Sequence, residues 1–453
     1  IRKAHKAHWM SLQIQKLQAM TDLKSLSATE ELVRSYPQHP MAQFELAKCY
    51  GRIFDKREFK QFDRYAQVQK EWLLMTGLDE LNMEFIWLGM VIGSFGNHYG
   101  IDLLLKANQY GLKPAKKPYL LLPEGAQLRS PALFSYFEPH LCVIREAEAI
   151  QSLKSLETLL TLPLGMGLTL HNRFSHMSIG ANQIEIERGK LGIESSYFKL
   201  SDHHREMGLQ ALKQLGVPGD AWYVTLHVRE SGFRGPEGTT EDWRNANPLD
   251  YIKAIKAVTK AGGWVFRMGD PSMTPLPKMP QVIDYALNEI RCDWMDIFLG
   301  ATCKFLIGTG SGYYHIPAFF GVPCIMTNFP GFAPYYEMKN FDLYLPRWLK
   351  KVQTEKLVSF EDYMSPPTSM FFSPKSFRDA GLDWVKNTPE ELEAVTKEML
   401  ERTNCDLPPI IDDELQRRFK ALAETCGLKY GSRPVKAFAP ISRDFLEQHR
   451  DLL

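Results

Sequence analysis

Through residues 11–76 the apolar positions recur at intervals of three and four. Leu12, Ile14, Leu17 and Met20 lead to Leu23 and Leu26, and Met41, Phe44, Leu46, Ala47 and Tyr50 follow the break Tyr36-Pro37-Gln38-His39-Pro40. This is the period of amphipathic helices, and a further helix is expected over 58–75. At Phe85 the texture changes. Phe85-Ile86-Trp87-Leu88-Gly89-Met90-Val91-Ile92 is a continuous apolar run that reads as a strand, ending in Gly93-Ser94-Phe95-Gly96-Asn97-His98. A helical pattern with Asp102, Leu103, Leu104, Leu105 and Ala107 comes next, then a second short run, Pro118-Tyr119-Leu120-Leu121-Leu122-Pro123. Strand, glycine turn, helix and strand make a βαβ unit and predict a parallel sheet. Another strand is expected at Leu141-Cys142-Val143-Ile144.

A second alternation starts after Pro218. The strand Ala221-Trp222-Tyr223-Val224-Thr225-Leu226-His227-Val228-Arg229-Glu230 is rich in β-branched and aromatic residues and ends in charge. A glycine-rich loop over 231–238, a helix from Pro248 and a strand Gly263-Trp264-Val265-Phe266-Arg267-Met268-Gly269-Asp270 follow. Beyond a proline-rich connector come Val282-Ile283, a helix around 295–299 and the strand Lys304-Phe305-Leu306-Ile307. That strand runs into Gly308-Thr309-Gly310-Ser311-Gly312, a helix over 313–320 and a last predicted strand, Pro323-Cys324-Ile325-Met326-Thr327.

The pattern therefore predicts an α/β protein: a helical appendage over 1–80, one Rossmann-like half over 81–215, a second over 216–385, and C-terminal helices over 386–453 packing back on the body. A chain of 453 residues suits that count, since domains run to about 100–200 residues each. Charge adds a constraint: 54 Lys+Arg against 53 Asp+Glu leave +1, so no global field draws the chain to nucleic acid, and a polyanion must meet a local cluster. Seven cysteines without a CxxC are expected to be thiols in a reducing, cytoplasmic compartment. No apolar run approaches the about 18–20 residues of a membrane span, and the first residues lack the apolar core of a signal peptide. Arg2, Lys3 and Lys6 form a basic face that could meet the inner membrane surface peripherally. The segment from Pro40 to Tyr50 resembles the first helix of a tetratricopeptide unit, which makes the helical front a candidate protein-partner surface.

The candidate chemistry lies at strand ends. In parallel sheets ligands sit beside the carboxyl ends of strands, which singles out His98 and Asp102, four apart at the start of a helix, and a larger cluster in the second half. That cluster comprises His227, Arg229, Arg234, Arg267, Gly269 and Asp270, with Thr309, Gly310, Ser311 and Gly312 before a helix. Guanidinium groups hold phosphate in a bidentate fork, and free amides at a helix start favour an anion. A nucleotide diphosphate needs this combination. No GK[ST] follows the glycines, which disfavours ATP phosphoryl transfer. No DxD stands at a strand end, Asp412-Asp413 lying in a polar stretch, and His171 and His176 lack a companion carboxylate or cysteine, so no metal or other cofactor is expected.

On these residues a resemblance rests. His227-Val228-Arg229-Glu230 is similar to the HxR motif of fucosyltransferase-like enzymes. The stretch from Met295 to Cys303, with Gly310-Ser311-Gly312 and Phe320-Gly321-Val322-Pro323, is similar to their donor domain, and with Arg267-Met268-Gly269-Asp270 it resembles a large bacterial family of glycosyltransferases of the GT-B type. The closing segment from Asn387 to Leu400 resembles the C-terminal helices of that group. The resemblance implies a GT-B-like pair of Rossmann-like domains that moves a sugar from a nucleotide-sugar donor to a glycan or glycolipid acceptor in bacterial surface polysaccharide synthesis, with Arg229 on the donor pyrophosphate. Where the motif usually carries a second arginine this chain has Glu230, which argues against GDP-fucose. An inverting reaction needs a base for the acceptor hydroxyl; His98, Asp102 and Glu230 are the candidates. A nucleotide-sugar epimerase on the same frame, a non-catalytic scaffold and a simple polyanion binder are the alternative readings.

Overall fold

The computed structural model describes residues 26–52, 57–160, 167–171, 173–232, 242–371, 374–404, 413–430 and 434–453. Arg234, Asp412 and the basic positions Arg2, Lys3 and Lys6 lie outside them. Two compact units divide the chain: the first runs to Arg129 and resumes over Phe134–Gly192, and the second takes Ser130–Leu133, Ile193–Tyr430 and Pro434–Leu453.

The first unit opens with helices α1 (Leu26–Ser35), α2 (Pro40–Arg52) and α3 (Arg57–Thr76). Phe44 and Ala47 of α2 pack on Phe62, Tyr65 and Ala66 of α3, at the helical spacing that the sequence shows. At the far end of α3, Trp72 shares a core with Phe85, Leu121 and Leu160. The helical front is thus built into the core of the sheet it precedes. That sheet has three parallel strands in the order β1 (Met83–Phe85), β2 (Lys117–Leu121), β3 (Cys142–Ile144), with α4 (His98–Gln109) crossing from β1 to β2. The strand expected over 85–92 does not form. The strand stops at Phe85, and Gly89–Ile92 is a single helical turn closed by Gly93 N–H donating to the Gly89 carbonyl. An apolar run alone does not separate strand from buried helix. A Cβ at Gly89 would lie 2.5 Å from carbons of the Trp87 ring, so glycine lets the indole fold over the turn. Residues Gly167–Leu170 (β4) and Arg173–His176 (β5) form an antiparallel hairpin the sequence did not advertise, ahead of α5 (Met177–Lys190).

The second unit is a seven-stranded sheet: β6 (Tyr223–His227), β7 (Trp264–Arg267), β8 (Val282–Ile283), β9 (Leu306–Thr309), β10 (Cys324–Pro330), β11 (Leu343–Lys351) and β12 (Leu382–Val385). The spatial order is β12-β11-β10-β9-β6-β7-β8, parallel throughout except for the β11–β12 pair. Every residue of β6 is buried, as a central parallel strand covered on both faces requires. Helix α6 (Ile252–Lys260) turns Ala254, Ile255, Ala257 and Val258 inward, and its entry is set by Asn247, whose side chain accepts from Leu249 N–H before Pro248. Helices α7 (Asp293–Thr302), α8 (His315–Phe319), α9 (Pro389–Asn404), α10 (Glu414–Tyr430) and α11 (Arg443–Gln448) also belong to this unit, with further helices over Asp202–Gln214, Phe360–Met364 and Pro374–Asp379.

Strands β11 and β12 lie beyond the last predicted strand. A proline is unusual inside a central strand, and β11 carries one, Pro346. The chain accommodates it with a register shift: Thr327 pairs with Leu345, Asn328 is skipped, and Phe329 faces Pro346. Asn328 takes a left-handed φ of 51° at this bulge, a local kink of the kind found beside functional sites. Among the described residues no helix is long and apolar enough to cross a membrane.

Candidate functional site

Strand order locates the site. From β6 the chain runs outward through β7 and β8, then returns to lay β9 on the other side of β6. The order reverses between β6 and β9, and crevices in open α/β sheets lie at the carboxyl ends of strands flanking such a reversal. His227, the last residue of β6, pairs in register with Gly308 of β9. The loops leaving the two strands are therefore neighbours, and they carry His227-Val228-Arg229 on one side and Thr309-Gly310-Ser311-Gly312 on the other.

The two loops are bonded to each other. Arg229 N–H donates to Thr309 Oγ1 at 2.9 Å, and Ser311 Oγ lies 3.0 Å from His227 Nδ1. The His227 ring stacks on Tyr313, centroids 5.4 Å apart and 15° from parallel. Burial pushes the His227 imidazole down to about 4, and the positive charge of Arg267 adds to the effect. The ring is therefore neutral at neutral pH and serves as a hydrogen-bonding partner, not a cation. Gly310 has no Cβ because the Phe329 ring occupies that place. The helix following Ser311 is short, a 3-10 turn over Gly312–Tyr314 and then the five residues of α8. Its dipole is correspondingly small, so the expected helix-start contribution shrinks to hydroxyls and local amides.

Positive charge comes from Arg229, half-buried, and from a residue the sequence reading passed over. Arg244 donates to the Gly310 carbonyl at 3.4 Å, placing its guanidinium on the same rim. Arg229 Nη1 donates to Asn245 Oδ1, and Ala246 N–H donates back to the Arg229 carbonyl at 3.0 Å. The segment Trp243-Arg244-Asn245 thus forms a third wall. It lies in a polar stretch without periodicity, and only its arginine and tryptophan hinted at a role.

Arg267, Gly269, Asp270 and Glu230 belong to a separate cluster one strand away. Arg267 is fully buried and donates to Glu230 Oε1 at 2.6 Å, to the Thr274 carbonyl at 3.0 Å and to Asp284 Oδ1 at 3.2 Å. Glu230 Oε2 accepts from Thr274 N–H and Asp284 Oδ2 from Leu276 N–H. This ion cluster pins the proline-rich connector to the sheet. Glu230 is therefore the partner of Arg267, not of Arg229, and the Arg267 fork is occupied by protein groups. Asp270 accepts from the Ser272 amide and hydroxyl, and Gly269, at φ 147°, leaves room for the Met273 thioether. Gly269 and Asp270 shape a turn.

His98 and Asp102 lie in the first unit, on consecutive turns of α4. Both are buried: His98 packs on Phe137 with centroids 5.5 Å apart and approaches the Ser94 carbonyl at 3.4 Å. Burial holds its imidazole down at about 4. Asp102 accepts from Lys106 at 2.6 Å, one turn on. Among the described residues no group of three or more His, Cys, Asp or Glu is placed to hold a metal ion.

No family model matches the chain, and no curated protein matches it. Among solved structures it overlaps a glycosyl transferase family 9 protein from Veillonella parvula at 11% identity and TM-score 0.34, over 58% of this chain and 85% of that one. It overlaps the E. coli ADP-heptose LPS heptosyltransferase II at 13% identity and TM-score 0.33, over 55% and 85%. The iron-containing dodecameric glycosyltransferase TibC of E. coli overlaps at 11% and 0.32, over 56% and 59%. Overlaps of this size leave fold and activity to be argued from the chain's own strand order and loop chemistry.

Proposed function

We propose that the chain is a glycosyltransferase that binds the diphosphate of a nucleotide sugar at the β6/β9 strand ends and passes the sugar to a glycan or glycolipid acceptor. The observation that carries this reading is the coincidence of the order reversal with the residues there. Arg229, Arg244, Ser311 and the Gly310 loop converge where the sheet opens. As the glycosidic bond to the donor breaks, charge grows on the leaving diphosphate oxygen. Fixed donors aimed at that oxygen stabilise it most where water is excluded, and guanidinium groups supply both charge and directed N–H bonds. In this reading the counter-charge comes from arginine and needs no metal.

Of the three carboxylate and imidazole candidates for an acceptor base, Glu230 is only partly buried, and its two oxygens are engaged by Arg267 and Thr274 N–H at rest. His98 and Asp102 are closed off by their own helix and by Phe137. The glycan or glycolipid acceptor and a place in surface polysaccharide synthesis rest on the resemblance of the segments Arg267-Met268-Gly269-Asp270 and Met295 to Cys303 to a bacterial glycosyltransferase family. A thermal-shift screen of ADP-, UDP-, GDP- and CMP-sugars tests the donor assignment. At least one should raise the melting temperature, and stabilisation by none would remove the transferase reading.

A further inference from the structure

The wall that carries Asn245 is held by a cation that has no acid beside it. Arg347, in the middle of β11, is 3% exposed, yet among the described residues no carboxylate pairs with it. Its Nη1 donates to the Trp243 carbonyl at 2.6 Å and its Nη2 to the Asn245 carbonyl at 2.7 Å. Nη2 also approaches Asn328 Oδ1 at 3.5 Å, and Nε has no hydrogen-bond partner. Burial lowers the affinity of this guanidinium for its proton, opposed only by Tyr251 and Tyr363. Burying an arginine against neutral acceptors is costly, which marks the position as one kept for what it holds.

What it holds reaches both walls of the site. Through Trp243 and Asn245 it fixes the segment whose Asn245 side chain receives Arg229. Through Asn328 it joins a buried chain of polar groups: Asn328 Nδ2 donates to Tyr251 Oη at 3.1 Å, Tyr251 Oη lies 2.6 Å from Thr327 Oγ1, and Thr327 Oγ1 donates to the Gly308 carbonyl at 3.0 Å. Gly308 lies in β9, two residues before the Gly310-Ser311 loop. Asn387 locks the bulge from the other side, accepting from Asn328 N–H at 2.7 Å and donating to the Pro346 carbonyl at 2.8 Å.

We infer that Arg347 is a positioning residue: it sets the 243–245 segment so that Asn245 presents the Arg229 guanidinium to the ligand's diphosphate. The inference rests on the donor reading above for its ligand. A double-mutant cycle tests it, reading the dissociation constants of ADP, UDP and GDP for the full chain, for Arg347→Met, for Arg229→Ala and for the pair. Arg347→Met should weaken the tightest of these nucleotides by about tenfold, and by less than about twofold once Arg229 is gone, because coupled residues are non-additive. Equal losses in both backgrounds would overturn the inference. Asn245→Ala, which keeps the carbonyl that Arg347 grips and removes only the group that receives Arg229, should reproduce the affinity loss while leaving the melting temperature near that of the parent. If Asn245→Ala binds like the parent, the inference fails. A ligand-free arm follows the Ala246 amide by hydrogen exchange, which local opening controls. Exchange should quicken in Arg347→Met while the interior of β6 is unchanged, and an unchanged Ala246 rate would also overturn the inference. If the parent binds no nucleoside diphosphate, the donor reading falls, while the exchange arm still decides whether Arg347 sets the segment.

Discussion

The two units build the same turn and use it differently. Gly93-Ser94 leads into a 3-10 turn over Phe95–Asn97 and a helix starting at His98; Gly310-Ser311 leads into a 3-10 turn over Gly312–Tyr314 and a helix starting at His315. Ser94 sits at φ −142°, ψ 164° and Ser311 at φ −139°, ψ 167°. Each closes with an N–H three residues on donating to the serine carbonyl, at 3.0 and 3.2 Å. What differs is the surroundings. The first turn is displaced from the end of β1 by the helical turn Gly89–Ile92, and it bonds to itself: Ser94 Oγ meets Asn97, and Asn97 donates to the Gly89 carbonyl. The second follows β9 directly, so its serine reaches across to His227 on the neighbouring strand. Identical backbone geometry becomes a candidate site only where the sheet places a second strand end, with arginines, beside it.

The largest effect expected from this comparison is one the two turns share. His98 and His227 are both held near 4 by burial, against an ordinary 6.5. The unfolded chain takes up protons near 6.5 and the folded one only near 4, so stability present above pH 6.5 is lost as pH falls from 6.5 to 4. Each ring should account for about 3 kcal/mol over that window. Urea unfolding at stepped pH measures it: His98→Gln and His227→Gln should each flatten the slope, and a slope untouched by both would show that neither ring is buried as described. The turns part company in ligand binding. Arg229→Ala should weaken a nucleoside diphosphate by about a hundredfold, the loss of hydrogen bonds from a charged group, whereas Asn97→Ala in the first turn should leave that affinity alone. A comparable loss from Asn97→Ala, read by calorimetry, would reverse the assignment of the two turns.

How far these differences were legible in the sequence depends on the kind of signal. Tyr223-Val224-Thr225-Leu226 reads as a buried strand from its β-branched and aromatic side chains, and Ala254, Ile255 and Val258 mark the buried face of α6 by spacing. Arg229 and Ser311 could be nominated because charge and glycine follow recognisable strands. Periodicity failed where a run was uniformly apolar, as over 85–92, and β11, with Pro346 inside it, went unread, because the compensating bulge at Asn328 is visible only in the pairing. Arg267 and Glu230 were placed near the ligand on residue type and strand-end position, and neither of these could show that each is the other's partner. Arg244, Asn245 and Arg347 were missed for the complementary reason: their roles arise from contacts over 66, 16 and 102 residues of chain, and no local pattern records such contacts.

Smaller effects sharpen the contrast further. Ser311→Ala removes one neutral hydroxyl next to a neutral imidazole, so nucleotide affinity should fall about fivefold, while Ser94→Ala should change it by less than about twofold in the same titration. A change of less than about twofold in Ser311→Ala as well would mean that neither serine faces the ligand. The smallest effect separates arginine from a metal as the source of counter-charge. A bound divalent ion would be the largest local charge in such a site, and its removal would cost far more than one hydroxyl. With Arg229 and Arg244 on the rim, nucleoside diphosphate affinity should be the same within about twofold in excess chelator as in its absence. A loss in chelator of about tenfold or more, restored by adding back a divalent ion and still seen in Arg229→Ala, would assign the counter-charge to a metal and reduce Arg229 to holding Asn245 in place.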